Sequence, residues 1–253
     1  MASLEPSNAP AEAEDNVGGL KEVLLSTLYP RRCPVCDGIP APRGRMICPS
    51  CVGKLQFITE PVCKCCGREI REQEGELCQN CLRHHFSFDY GIALMNYTDE
   101  AARSMAAVKY KGRREYLEYY GRETVKRCGD RLRNMQLDAL VPVPVHPDRL
   151  RQRGYNQAAV LAEEISKGLG VPVYEPLFRA KNTKALKELN ASQRRRNLQE
   201  AFQSEPLPPD VRRVCVIDDI FTTGATMEAC TRALLAAGAQ KVFSFCLCMR
   251  SEN

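Results

Sequence analysis

With 253 residues the chain has room for one medium domain and a small appendage. No apolar run approaches the ~20 residues that span a bilayer as a helix, and the acidic, Ala-, Pro- and Glu-rich stretch 1–18 lacks a basic-then-apolar signal pattern, so no spanning helix and a cytoplasmic protein with a disordered tail over 1–18 are expected. The formal charge of +5 counts fourteen cysteines as neutral, and in a reducing compartment those are thiols or metal ligands rather than disulfides.

After the tail, apolar residues at Leu20, Val23, Leu24 and Leu28 predict a short amphipathic helix within 19–30, ended by Pro30. Nine cysteines then crowd between Cys33 and Cys81, and eight of them form four C-x-x-C pairs separated by eleven residues each time: Cys33/Cys36, Cys48/Cys51, Cys63/Cys66 and Cys78/Cys81. The first and third pairs run into a turn glycine (Asp37-Gly38, then Gly67), the second and fourth into Val52 and Leu82. This alternation makes two pairs the unit. It predicts one structural Zn²⁺ on Cys33, Cys36, Cys48 and Cys51 and a second on Cys63, Cys66, Cys78 and Cys81. An iron–sulfur cluster is the competing occupant, and cross-braced pairing of the same ligands is the competing topology. Cys65 is read as a spare thiol, and His84 and His85 as surface or interface residues. Eight thiolates and two Zn²⁺ contribute −4 and bring the formal +5 down to +1, so overall charge is a poor argument for nucleic-acid binding. The ribbons, 31–85, are too small to bury much, and metal replaces a core.

The remainder, 86–253, alternates strand and helix. Strands are expected over Phe88–Tyr97, Ala139–Val145, Val171–Tyr174, Val211–Ile217 and Val242–Cys248. Helices are expected over Glu100–Tyr110, Arg114–Leu132, Gln157–Lys167, a basic Ala191–Ala201 and Met227–Ala237. Such an order implies an α/β fold, a mainly parallel sheet covered by helices on both faces. Cys128, Cys215, Cys230, Cys246 and Cys248 fall inside these elements and read as small buried apolar residues.

Several segments carry chemistry. Lys109-Tyr110-Lys111-Gly112-Arg113-Arg114 is basic and sits at a helix end, where cations are favoured in any case; Tyr119 and Tyr120 follow as base-stacking candidates or as core. Three prolines in Pro142–Pro147 stop a strand and begin a rigid loop. Arg149, Arg151 and Arg153 follow it, suited to a leaving pyrophosphate or to a solvated face. Lys181 to Arg196 reads as a mobile lid over substrate or as a plain surface loop.

The most informative segment is Val214-Cys215-Val216-Ile217-Asp218-Asp219-Ile220-Phe221-Thr222-Thr223-Gly224-Ala225-Thr226. An apolar strand delivers two carboxylates, then a hydroxyl-rich turn and a helix. Ligands of parallel sheets bind at this end of a strand, and a helix N-terminus attracts phosphate. Gly224 permits close backbone approach. Asp218 and Asp219 would repel phosphate, so sugar hydroxyls or a Mg²⁺ shared with pyrophosphate are their natural partners. Phosphate, ribose and magnesium together point to phosphoribosyl diphosphate (PRPP).

Four-cysteine ribbons, Lys-Tyr-Lys-Gly-Arg, Val-Pro-Val-Pro-x-His, Arg-Gly-Tyr-Asn-Gln, Arg-Arg-x-Asn and Asp-Asp-x-x-Thr-Thr-Gly-Ala-Thr occur in this order. The chain thereby resembles the ComF family of bacterial competence proteins from about Leu20 to Arg250. The resemblance implies a type I phosphoribosyltransferase-like sheet behind a double zinc ribbon. It also implies roles: Asp218 and Asp219 on the ribose hydroxyls; Thr222, Thr223, Gly224, Ala225 and Thr226 on the 5′-phosphate; Pro144 and His146 in the pyrophosphate loop; and the mobile loop over Asn182–Asn197. Lys109, Arg149, Arg153, Asn156 and Arg196 are the further basic or polar candidates. Leu186 stands where many members carry glutamine. Family members are linked to natural transformation and single-stranded DNA. Three functions follow as expectations: a phosphoribosyltransferase using Mg²⁺ and PRPP on an unknown acceptor, a non-catalytic adaptor that handles single-stranded DNA, and ribbons that dock a partner such as a competence helicase.

Overall fold

A computed structural model describes residues 30–42, 44–71, 75–179 and 201–251. The expected tail, the helix within 19–30 and the mobile loop with Leu186 and Arg196 lie outside these residues, as does all of the expected Ala191–Ala201 helix except Ala201, which sits in a turn. No helix among the described residues is long and apolar enough to cross a membrane.

The larger part is α/β. Strands β1 (Tyr90–Asn96), β2 (Ala139–Pro142), β5 (Arg213–Phe221) and β6 (Lys241–Met249) form a wholly parallel sheet in the order β1-β6-β5-β2. The central strands read as near-continuous apolar runs because both their faces are covered. Helices α2 (Asp99–Tyr110), α3 (Tyr116–Asn134) and α5 (Gln157–Leu169) build the core on one face around Leu117, Tyr120, Leu161, Ile165, Ile217 and Phe245. Helix α6 (Ala225–Ala236) and the antiparallel pair β3 (Leu177–Arg179) and β4 (Phe202–Ser204) cover the other, around Val141, Val216, Met227, Cys230 and Leu234. The five cysteines outside the ribbons are all buried, as their apolar neighbours required.

The structure corrects four expectations. Strand β5 runs on to Phe221 instead of stopping at Ile217, because Asp218, Ile220 and Phe221 still pair with β6, so both acids lie within the strand. Val171–Tyr174 forms only an isolated bridge through Val173 to Leu140; the strands in that region are β3 and β4, a pair too short to show a period in sequence. Strand β2 ends at Pro142 rather than Val145. The rigid loop after it is confined to Val143–His146, and Arg149, Arg151 and Arg153, expected to extend from it, lie on helix α4 (Pro147–Arg153), which starts at Pro147 with His146 Nδ1 accepting from the Asp148 amide at 3.2 Å; proline suits a first helical turn because its missing N–H is one no helix uses.

The two ribbons share one local design. In each, a cysteine amide donates across the first turn: Cys33 to the Gly38 carbonyl at 2.8 Å and Cys63 to the Arg68 carbonyl at 2.7 Å. Cys48 and Cys78 each stand just before a short helix, a 3-10 turn at Pro49–Lys54 and α1 at Gln79–Arg83. The left-handed residue of the first turn is Asp37 (φ 58°), not Gly38, and its counterpart is Gly67 (φ 73°). Asp37 is fixed from outside, since its carboxylate accepts from Tyr116 Oη at 2.6 Å and pairs with Arg113 at 2.9 Å. Burial pushes the Asp37 carboxyl up, but those partners outweigh it and hold it below the ordinary carboxylate range. Gly67 is fixed by space, because a side chain there would meet the Gly91 carbonyl of β1 at 2.4 Å. Both ribbons are thus seated on the α/β unit through their first turns.

Candidate functional site

At the carboxyl end of the sheet, strand alternation sends neighbouring side chains to opposite faces. Asp219 turns toward α2, where its Oδ2 meets Lys109 Nζ at 2.5 Å with both side chains largely buried. Asp218, half-buried on the other face, pairs in register with Cys246 and interacts electrostatically with Cys230 and the Arg179 guanidinium. Its Oδ1 accepts the Asp219 amide at 2.8 Å. Burial, and then the adjacent Asp219 charge, push the Asp218 carboxyl well above the usual carboxylate range, and Lys109 offsets only part of this. An acid in that condition suits a divalent cation or sugar hydroxyls, either of which would favour its charged form. Lys109, placed at a helix end by sequence, is therefore an element of this site through the ion pair.

Beyond β5 the chain makes the turn Thr222-Thr223-Gly224 and enters α6. Gly224, at φ +81°, provides no side-chain cap; Thr222 and Thr223 are exposed, and the Thr223 hydroxyl accepts the Ala225 amide at 3.4 Å. Amide groups at such a helix start face whatever anion sits in the turn. A methyl group on Gly224 would come within 2.6 Å of the Phe86 and Phe221 rings. Gly224→Ala is therefore expected to cost about 3 kcal/mol from combined backbone strain and overpacking, visible in denaturant unfolding.

The Arg-Gly-Tyr-Asn-Gln segment acts as a clamp. Gly154 ends α4 in the left-handed conformation. The Tyr155 hydroxyl donates to the Val108 carbonyl, one residue before Lys109. Asn156 caps α5 by accepting from the Ala158 amide at 3.1 Å while its Nδ2 donates to the Val143 carbonyl at 3.0 Å. Three parts of the site, the Lys109 helix, the loop after β2 and α5, are thus held together by consecutive residues. Within that loop His146 is occupied in capping α4 and Pro144 presents its carbonyl to Arg179 Nε at 3.3 Å. Arg149 is exposed, and Arg153 donates to Gln157 Oε1 at 3.0 Å with its guanidinium 5.4 Å from the Tyr110 ring centre.

Sequence reasoning missed Arg179 and named Tyr110 only as part of the basic segment Lys109–Arg114. Arg179 stands in a strand of three residues with no legible pattern. Tyr110 is 71% exposed, whereas Tyr119 and Tyr120, the aromatics singled out beforehand, are core residues, Tyr120 bonded to Ser104 Oγ at 2.7 Å.

In the ribbons, the ligand atoms gather as Cys33, Cys36, Cys48 and Cys51 and as Cys63, Cys66, Cys78 and Cys81, all within 4.8 Å in each group. The pairing is sequential, not cross-braced. Sulfur separations of 3.8 Å for Cys36–Cys48 and 3.7 Å for Cys66–Cys78 match the edge of about 3.8 Å that a tetrahedron with Zn–S bonds of about 2.3 Å requires. Four thiolates leave no open position, so the sites fit structural Zn²⁺. Cys65 belongs to neither group.

Residues 24–82 match the double zinc ribbon domain and residues 156–253 the phosphoribosyl transferase domain. Strand β1 and helices α2 and α3 precede the second match yet complete the same sheet and core. Among curated proteins the chain is similar to Competence protein F of Haemophilus influenzae, 29% identical over 217 residues, covering 83% of this chain and 93% of that protein. It is similar to Competence protein ComFC of Bacillus subtilis at 29% identity, covering 79% and 83%. DNA utilization protein YhgH of Escherichia coli O157:H7 is 30% identical over 175 residues, covering 68% of this chain and 77% of that protein. With its ribbons joined to a phosphoribosyl transferase sheet, and these relatives covered over most of their own length, the chain belongs to the ComF family.

Proposed function

We propose that the chain binds PRPP together with Mg²⁺ at the carboxyl end of β5 and transfers its phosphoribosyl group to an acceptor. The observation that carries this reading is the buried Lys109–Asp219 pair beside the start of α6. A fixed charge next to a helix start with no cap from Gly224 supports a ribose beside the pair and its 5′-phosphate at the turn. In this reading Asp218 and Asp219 hold the ribose hydroxyls, and residues Thr222 to Thr226 hold the phosphate. Arg179 and the loop from Pro144 to His146 receive the pyrophosphate, with Arg149 and Arg153 as nearby cations. Mg²⁺ would bind with the pyrophosphate and neutralise its charge. In transfer, the bond from the anomeric carbon to pyrophosphate breaks as the bond to the acceptor forms. Pyrophosphate leaves with the electron pair, and the acceptor's proton passes to solvent. The protein supplies positioning and charge stabilisation of the leaving group. Calorimetric titration with PRPP, with and without Mg²⁺, followed by pyrophosphate release across candidate acceptors, tests this. Saturable Mg²⁺-dependent binding is expected; no heat with PRPP would sink the site, and binding without release would limit it to a sensor.

A second reading, handling of single-stranded DNA in the cytoplasm, draws on the relatives' names and on the exposed Tyr110 ring with Arg153 over it. Lys111, Arg113 and Arg114 follow in the chain. Aromatic faces among cations suit stacked bases and a phosphate backbone. Tyr110→Ala is expected to weaken binding of an unstructured oligonucleotide by about tenfold without changing the salt slope. An unchanged affinity would remove Tyr110 from that role. A competence helicase docked through the ribbons remains the partner this reading calls for.

A further inference from the structure

The second ribbon does more than sit on the sheet. Its first turn places Cys65 and Gly67 against β1, where the Gly91 amide donates to the Cys65 carbonyl at 2.7 Å and the Gly67–Gly91 contact leaves no room for a side chain. From that base the buried Arg68 reaches the carboxyl end of the sheet. Its guanidinium donates to the Arg250 carbonyl, just past β6, and to the Thr222 carbonyl at 3.5 Å. Asn80, in the short helix between Cys78 and Cys81, donates from Nδ2 to the Thr223 carbonyl at 3.4 Å. The chain leaving the ribbon continues the grip: Phe86 lies against Gly224 and packs edge-on to Phe221, 6.0 Å between ring centres. Ser87 then donates from its amide and hydroxyl to the buried Glu228 of α6 at 2.7 and 2.8 Å.

We infer that Arg68 and Asn80 are positioning residues that hold the Thr222–Thr226 turn from behind, so that the second zinc site, and not the first, sets the shape of the phosphate-binding turn. Donors on the two turn carbonyls draw them toward the ribbon. In a tight turn the peptide planes are linked, so fixing the carbonyls also fixes the direction of the following amides. Preorganised amides bind an anion without first being ordered, which is where the affinity comes from. Among the described residues the first ribbon has no such reach. Its anchor, Asp37 with Tyr116 and Arg113, lies on α3 and the segment before it. The inference rests on the PRPP reading for its ligand, but its structural half does not.

The full-length protein with both zincs bound is compared as wild type, Arg68→Ala, Arg68→Lys, Asn80→Ala and Asp37→Ala. Hydrogen exchange of the amides from Thr223 to Met227 is read alongside calorimetric titration with PRPP·Mg²⁺ and with inorganic phosphate. Arg68→Ala and Asn80→Ala are expected to retain two zincs per chain, to exchange faster in this turn only, and to bind about tenfold more weakly. Arg68→Lys should recover part of both losses, and Asp37→Ala should change neither. Equal exchange and affinity in wild type and Arg68→Ala would overturn the inference. If wild type binds neither ligand, the PRPP reading fails, while the exchange comparison still decides whether the ribbon orders the turn.

Discussion

Asp218→Asn is expected to make the ligand-free protein more stable at neutral pH and to weaken PRPP binding by about 100-fold. The two effects have one cause. The Asp218 carboxyl is pushed up by burial and by Asp219, so the folded protein holds the protonated form more tightly than the unfolded chain, where an aspartate titrates near 3.9. Its contribution to stability is fully present below that value and is lost as pH rises through the higher folded one. Asparagine keeps the carbonyl oxygen that accepts the Asp219 amide and removes the charge. The gap in melting temperature between variant and wild type should therefore be small in acid and widen toward neutrality. Thermal melts between pH 4 and 8, paired with PRPP titration, check both halves. A variant less stable than wild type at pH 7 would mean that Asp218 is charged and satisfied within the protein itself.

The largest stability effect is expected from the metal. Structural zinc sites contribute on the order of 10 kcal/mol, and each ribbon lacks a core that would replace it. The two sites should not behave alike. Cys36 is exposed and Cys48 half-buried, whereas all four ligands of the second site are buried. A chelator should remove one zinc per chain quickly, from Cys33, Cys36, Cys48 and Cys51, and the other only as the second ribbon opens. Cys78→Ser should drop zinc content to one per chain and release the Thr222–Thr226 turn, while Cys36→Ser should lose one zinc and leave the turn in place. Zinc release followed colorimetrically against time separates the steps; a single phase releasing both would contradict the difference in burial.

Much of this was legible in the chain. The C-x-x-C pairs at a fixed interval named the ligands, because thiolates have little reason to recur at such spacing otherwise. The run into Asp218 and Asp219 followed by Thr-Thr-Gly marked the site, since paired acids at the end of an apolar strand need partners. Roles were harder. Asn156, a polar candidate in the sequence, caps α5 and clamps the loop after β2; Tyr119 and Tyr120, open between stacking and core, are core. Hydrogen-bond partners distant in sequence decided each of these, and no periodicity reports them.

What the sequence determined by itself is therefore the local chemistry: two four-thiolate sites, a parallel sheet, and an acid pair leading into a hydroxyl-rich turn, all set by neighbours within a few residues. The tertiary structure decided which of these meet. It gave Lys109 to Asp219 across 110 positions, paired the ribbon cysteines sequentially, and brought Arg68 and Asn80 onto the carbonyls of Thr222 and Thr223. Such contacts arise because helices and ribbons must bury their one apolar or glycine-lined face against the sheet, and that packing, not the order of residues, fixes what stands beside what.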